Sequence, residues 1–117
     1  MKRISPPSAH GISQVQDSFL RYQNQAFESR SPSFFALELA GECGELCNLE
    51  KKIWRDDSLP IDMAHLSDEA ADIFIALTNY CNSRGIDLQN AVTLKLERIE
   101  DKRLAGKMGK IKTAEYI

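Results

Sequence analysis

Apolar side chains recur along this chain at helical spacing. Val15, Phe19, Tyr22 and Ala26 follow one another at intervals of four, three and four, which is one face of a helix; the pattern predicts a first helix over 13–29. Ser31-Pro32-Ser33 interrupts it and starts the chain again, because serine suits an N-cap and proline a first turn. A second helix is expected over 33–54, then a loop over 55–61 (Arg-Asp-Asp-Ser-Leu-Pro-Ile). A third helix begins at Asp62 or Ser67, both good caps, and stops at Gly85. Asp87 caps a fourth that reaches about Arg103. No segment alternates convincingly with period two, so the expected fold is all-α, a four-helix-type bundle.

The flanks read differently. Residues 1–11 are polar, with Pro6-Pro7 and Gly11, and read as an irregular arm ahead of a helical core over 12–103. Residues 104–117, with Gly106, Gly109 and several lysines, read as a basic tail. A chain of 117 residues has room for one domain, and 43% apolar with 27% charged residues is enough to build a core. No apolar run reaches the roughly 18–20 residues of a membrane span. Lys2 and Arg3 are not followed by the apolar stretch of a secretory signal. Cys43, Cys47 and Cys81 form no Cys-x-x-Cys pair and are expected as reduced, buried thiols. The expectation is a cytoplasmic protein with no membrane partner, and the small net charge of -2 gives no reason to expect a nucleic-acid partner.

That net charge hides an uneven distribution. From Glu38 to Asp72 there are ten acids against three lysines and arginines, whereas residues 102–117 carry five bases and one acid. Crowded carboxylates repel one another unless something positive lies between them. On the second helix Glu38, Glu42 and Glu45 stand at i, i+4 and i+7, hence on one face, with apolar Leu39, Ala40, Cys43, Leu46 and Cys47 around them. A solvated acidic face remains the plain alternative. Gly41 and Gly44 each cost about 1 kcal/mol relative to alanine inside a helix, which suggests close approach by another backbone or a ligand. The third helix adds Glu69 and Asp72, three apart and just ahead of an apolar run.

Carboxylates converging from two helices suit hard cations with oxygen ligands, Mg²⁺ or Mn²⁺. Zinc favours histidine and cysteine, and the cysteines fall on apolar stripes. A ferritin-like di-iron centre needs Glu-x-x-His on two helices; neither His10 nor His65 follows a glutamate by three. His65 lies one turn before Glu69, where a peripheral role and a simple capping or solvated role are both open. Lys95, Arg98 and Lys102 stand at i, i+3 and i+7 on the fourth helix. Pairing with Glu97, Glu100 and Asp101 on a solvated face is one reading of them; Lys95, among Val92, Leu94 and Leu96, is the better candidate for a phosphate contact. Metal ions beside a basic side chain are what a polyphosphate substrate requires. Trp54, the only tryptophan, is a base-stacking candidate or an interface anchor.

Together, Leu39-Ala40-Gly41-Glu42-Cys43-Gly44-Glu45-Leu46, Glu69-Ala70-Ala71-Asp72-Ile73-Phe74-Ile75 and Gly85-Ile86-Asp87-Leu88 with Ala91-Val92 and Lys95-Leu96 resemble the MazG-like all-α nucleoside triphosphate pyrophosphohydrolases, including the small dCTP pyrophosphatase-like members. The resemblance covers roughly residues 15–103. It implies a single MazG-like domain over 1–117 with the all-α NTP pyrophosphatase fold. It implies Mg²⁺-dependent cleavage of a (d)NTP, often a deoxynucleotide, to (d)NMP and pyrophosphate, a nucleotide-pool housecleaning activity. By the same resemblance Glu42, Glu45, Glu69 and Asp72 hold the metal, Lys95 meets the phosphates and steadies the leaving pyrophosphate, Trp54 lies near the base, and the chain works as a homodimer or homotetramer; Arg98, from its place on the basic stripe, is a further candidate for binding substrate. Many members carry a second glutamate where this chain has Gly41, which leaves the general base open; Glu38 is the candidate for that role or for supporting the metals. The alternative is a non-catalytic helical dimer that binds nucleotides or a protein partner.

Overall fold

A computed structural model describes residues 1–106, so the basic tail expected over 104–117 falls almost entirely outside the described residues. It is all-helical: α1 Ile12–Ala26, α2 Pro32–Arg55, α3 Met63–Arg84 and α4 Leu88–Leu104, with no strand among the described residues. None of these helices is long and apolar enough to cross a membrane. The chain divides into two compact units, Gln14–Ile86 and Met1–Ser13 with the chain from Asp87 on.

Local chemistry sets the ends. The Ser31 hydroxyl accepts from the Phe34 amide (3.2 Å), with Pro32 in the first turn of α2. Of the two caps open for α3 the structure uses Asp62, whose carboxylate accepts from the His65 amide (3.0 Å); Ser67 lies one turn inside. Gly85 ends α3 at φ 68°, a left-handed conformation that favours glycine, and Asp87 caps α4 by accepting from the Asn90 amide (3.0 Å). The first helix stops at Ala26, short of the expected 29. There Phe27 turns its ring edge-on to Tyr22, centroids 5.7 Å apart.

In the unit Gln14–Ile86, α2 packs along α3. Helix α1 is tied to the end of α3 by amide bonds. Gln16 Nε2 donates to the Ile86 carbonyl (2.9 Å) and Asn82 Oδ1 (3.2 Å), and Asn82 Nδ2 donates to the Gln16 carbonyl (3.0 Å). Phe19 meets Phe74 edge to face at 6.0 Å. Phe35, Ala76, Thr78 and Cys81 are buried, and the Thr78 hydroxyl donates to the Phe74 carbonyl (2.8 Å). The cysteines depart in part from expectation: Cys81 is buried, Cys43 half-buried and Cys47 exposed, all three free. Cys47 shares the outer side of α2 with exposed Gly44 and Asn48, so its apolar neighbours in sequence do not cover it.

In the other unit the N-terminal arm is irregular, as expected, yet firmly tied to α4. Arg3 pairs with Glu97 and with Asp101 (3.0 Å), the Ile4 amide donates to Glu100 Oε2 (2.7 Å), and Arg103 Nη2 donates to the Lys2 carbonyl (2.9 Å).

Candidate metal centre

Three of the four carboxylates expected to hold metal come together. Glu42 from α2 and Glu69 and Asp72 from α3 each offer an oxygen, and these oxygens lie within 4.8 Å of one another. The i, i+3 spacing of Glu69 and Asp72 puts both on the face of α3 that meets α2, and Glu42 answers from the opposite helix. Glu69 is only 7% exposed. One oxygen of Glu42 and one of Glu69 are buried with no hydrogen-bond donor. A carboxylate oxygen sealed from water without a donor is costly, and a bound cation would satisfy both at once.

The electrostatics agree with this geometry. Desolvation, then the charges of Asp72 and Glu45 and the nearby Glu69, push Glu42 up to about 7. Glu69 is raised above the ordinary carboxylate range, first by the neighbouring Glu45 carboxyl and then by its own desolvation. Glu45 thus stands beside Glu69 on the exposed side of α2, outside the tight group of three. His65 supplies the nearest basic nitrogen, Nε2 lying 3.5 Å from Glu69 Oε1.

Glu38 is exposed and lies outside the acidic trio; it borders a neighbouring cavity of about 640 Å³ walled by Phe19, Tyr22, Phe35, Ile75 and Asn79 among others. Trp54, at the end of α2, is 59% exposed, and the aromatic wall next to the acids comes instead from α1 and the first turns of α2. Lys95 and Arg98 are exposed on α4, in the other unit. Gly41 and Gly44 were expected where another backbone or a ligand comes close; within this chain a Cβ at either would meet nothing within 4 Å. Apart from Glu38 the cavity lining was not expected as a site, and Asn79 is its buried carboxamide. Its signal was the polar pair Thr78-Asn79 that interrupts the apolar stretch from Ile73 to Leu77.

Comparison with known proteins finds no matching family model, no matching curated protein and no matching solved structure.

Proposed function

We propose that this protein is a Mg²⁺-dependent nucleoside triphosphate pyrophosphohydrolase that converts a (d)NTP and water to (d)NMP and pyrophosphate. The observation that carries the reading is the trio Glu42, Glu69 and Asp72, with two buried carboxylate oxygens that lack a donor. The MazG-like resemblance of the same two motifs supplies the reaction. Oxygen-only ligands favour Mg²⁺, or Mn²⁺ in its place, over zinc. When bound, the metal neutralises phosphate oxygens and lowers the pKa of a coordinated water.

The chain's own residues have distinct parts. Glu42, Glu69 and Asp72 hold the metal, and Glu45 supports Glu69 from the next turn of α2. Water adds to the α-phosphorus, the bond to the bridging oxygen breaks, and pyrophosphate leaves. The proton released from water passes to a carboxylate, with Glu38 the candidate acceptor. Lys95 enters through the resemblance as a contact for the phosphates, and Arg98 through its place one turn later on the same basic stripe. Incubation with each dNTP and NTP plus Mg²⁺ should give monophosphate and pyrophosphate; release of inorganic phosphate with a diphosphate would overturn the reading.

The apolar surface supports a homodimer or homotetramer. Among the described residues sixteen large apolar side chains are exposed, whereas Ala9, Phe35, Ala76 and Cys81 are the buried apolar ones. The same surface favours a second reading, a non-catalytic helical dimer that binds nucleotides or a protein. Mg²⁺-dependent thermal stabilisation without turnover of any nucleotide would select it.

A further inference from the structure

We propose that the cavity beside the acidic trio receives the base of the nucleotide, and that Asn79 reads the hydrogen-bonding edge of that base. The proposal rests on the pyrophosphohydrolase reading for what is attached to the base. It rests on the cavity itself for everything else.

Asn79 is 8% exposed and lines the cavity, and its side chain makes no hydrogen bond to a described residue. A carboxamide carries two donors and an acceptor, and at a cavity wall these are available to a bound molecule. Its neighbours make the contrast plain: Thr78 bonds the Phe74 carbonyl, and Asn82 is fully engaged with Gln16. Asn79 alone of these three keeps its donor and acceptor for something else.

The shape and wall say what that is. At about 640 Å³ the cavity falls in the roughly 300–1,000 Å³ range of small-molecule sites. Phe19, Tyr22 and Phe35 put aromatic rings and Ile75 an aliphatic side chain on the wall, with Gln23, Glu28 and Arg30 adding polar groups, a lining against which a planar ring packs. An aliphatic chain would leave the carboxamide unmet, and a sugar alone would waste the aromatic wall. A heteroaromatic ring with a donor beside an acceptor satisfies both. Every nucleobase has such an edge, and a carboxamide meets it in either order by turning over.

The order along the helices fits as well. Glu42 faces Glu69 and Asp72, whereas Phe35 and Glu38, earlier on α2, share the cavity with Ile75 and Asn79, later on α3. The two helices therefore run antiparallel. At about 1.5 Å per residue, Glu38 lies about 6 Å and Phe35 about 10 Å along α2 from Glu42. Phosphates at the trio, sugar by Glu38 and base between Phe35 and Asn79 is the sequence of groups in a nucleotide.

The test compares wild type with Asn79→Leu, close in size but without the amide. On nucleoside triphosphates kcat/KM should fall at least about tenfold, while inorganic triphosphate, used as substrate or competing inhibitor, should be handled as in wild type. Independently, deoxycytidine, thymidine, deoxyadenosine and deoxyguanosine, added without Mg²⁺, should shift the side-chain amide NMR signals of Asn79 in wild type. Unchanged nucleotide kinetics in N79L, or an equal loss on inorganic triphosphate, would overturn the base site and leave the pyrophosphohydrolase reading standing. Nucleosides that shift the amide in a protein that hydrolyses nothing would do the reverse. Absence of any shift would overturn the base site whether or not N79L folds.

Discussion

Glu42 and Glu100 are both glutamates with buried surroundings, and their environments drive them in opposite directions. Glu100, on α4, is held down to about 2, first by Arg103, with the Ile4 amide and Arg3 adding to the effect. Each of its oxygens accepts from a donor of its own unit. Glu42, on α2, is pushed up to about 7 by desolvation and by other carboxylates, and one of its oxygens accepts from nothing. The same side chain is a structural tie where the fold supplies the counter-charge and a candidate cation ligand where it does not. Burial of an acid is therefore uninformative until its donors are counted.

The largest expected effect separates the two at once. Glu42→Ala or Asp72→Ala should lower turnover at least about a hundredfold, since even outer-shell partners of metal ligands are worth about 10–100-fold. Helix content by circular dichroism should be unchanged. Glu100→Gln should leave turnover alone and lower the Tm instead. Retained activity in the α2–α3 variants would remove the contrast.

Metal should act on one side only. Millimolar Mg²⁺ should raise the Tm of wild type through binding to the folded state, and Glu69→Gln should abolish that rise. Arg103→Ala should preserve it in full, on a lower baseline.

The pH profiles should have opposite slopes. Folding raises Glu42 from 4.5 to about 7, so its folded form holds the proton more tightly. Its contribution is most favourable below 4.5 and is lost as pH rises through 7. Folding lowers Glu100 from 4.5 to about 2, so its contribution is present above 4.5 and is lost as pH falls toward 2. Thermal melts across pH should show both flanks; Glu42→Gln should flatten the upper one and Glu100→Gln the lower. Mg²⁺ affinity should rise over the window in which Glu42 deprotonates, because a ligand must lose its proton first.

The smallest effect belongs to His65. His65→Ala removes the basic nitrogen 3.5 Å from Glu69. It should shift the acid limb of the pH–rate profile and change the maximum rate only slightly; a loss as large as that of Glu42→Ala would make His65 part of the metal site.

Much of this was legible from local chemistry. Ser31, Asp62 and Gly85 end their helices because a cap needs only a side-chain acceptor or a permissive φ within one turn. The i, i+3 pair Glu69 and Asp72 was legible for the same reason. Other features were not. Gly41 and Gly44 suggested close approach by a backbone or a ligand, and no other helix of this chain supplies it, because spacing does not say which helix face meets a neighbour. Tyr22 and Ala26, read as one apolar stripe with Phe19, turn out to wall a cavity, because periodicity marks a face and not what fills the space in front of it.

The helices, their caps and the grouping of acids on two of them follow from residues a few positions apart, where covalent spacing dictates geometry. Whether an acid finds a donor does not. Glu100 meets Ile4 from 96 residues away and Glu42 meets Asp72 from 30 away. Chain folding alone decided that the first encounter brings an N–H and the second another negative charge. It also left the Asn79 carboxamide without a partner at the wall of a cavity.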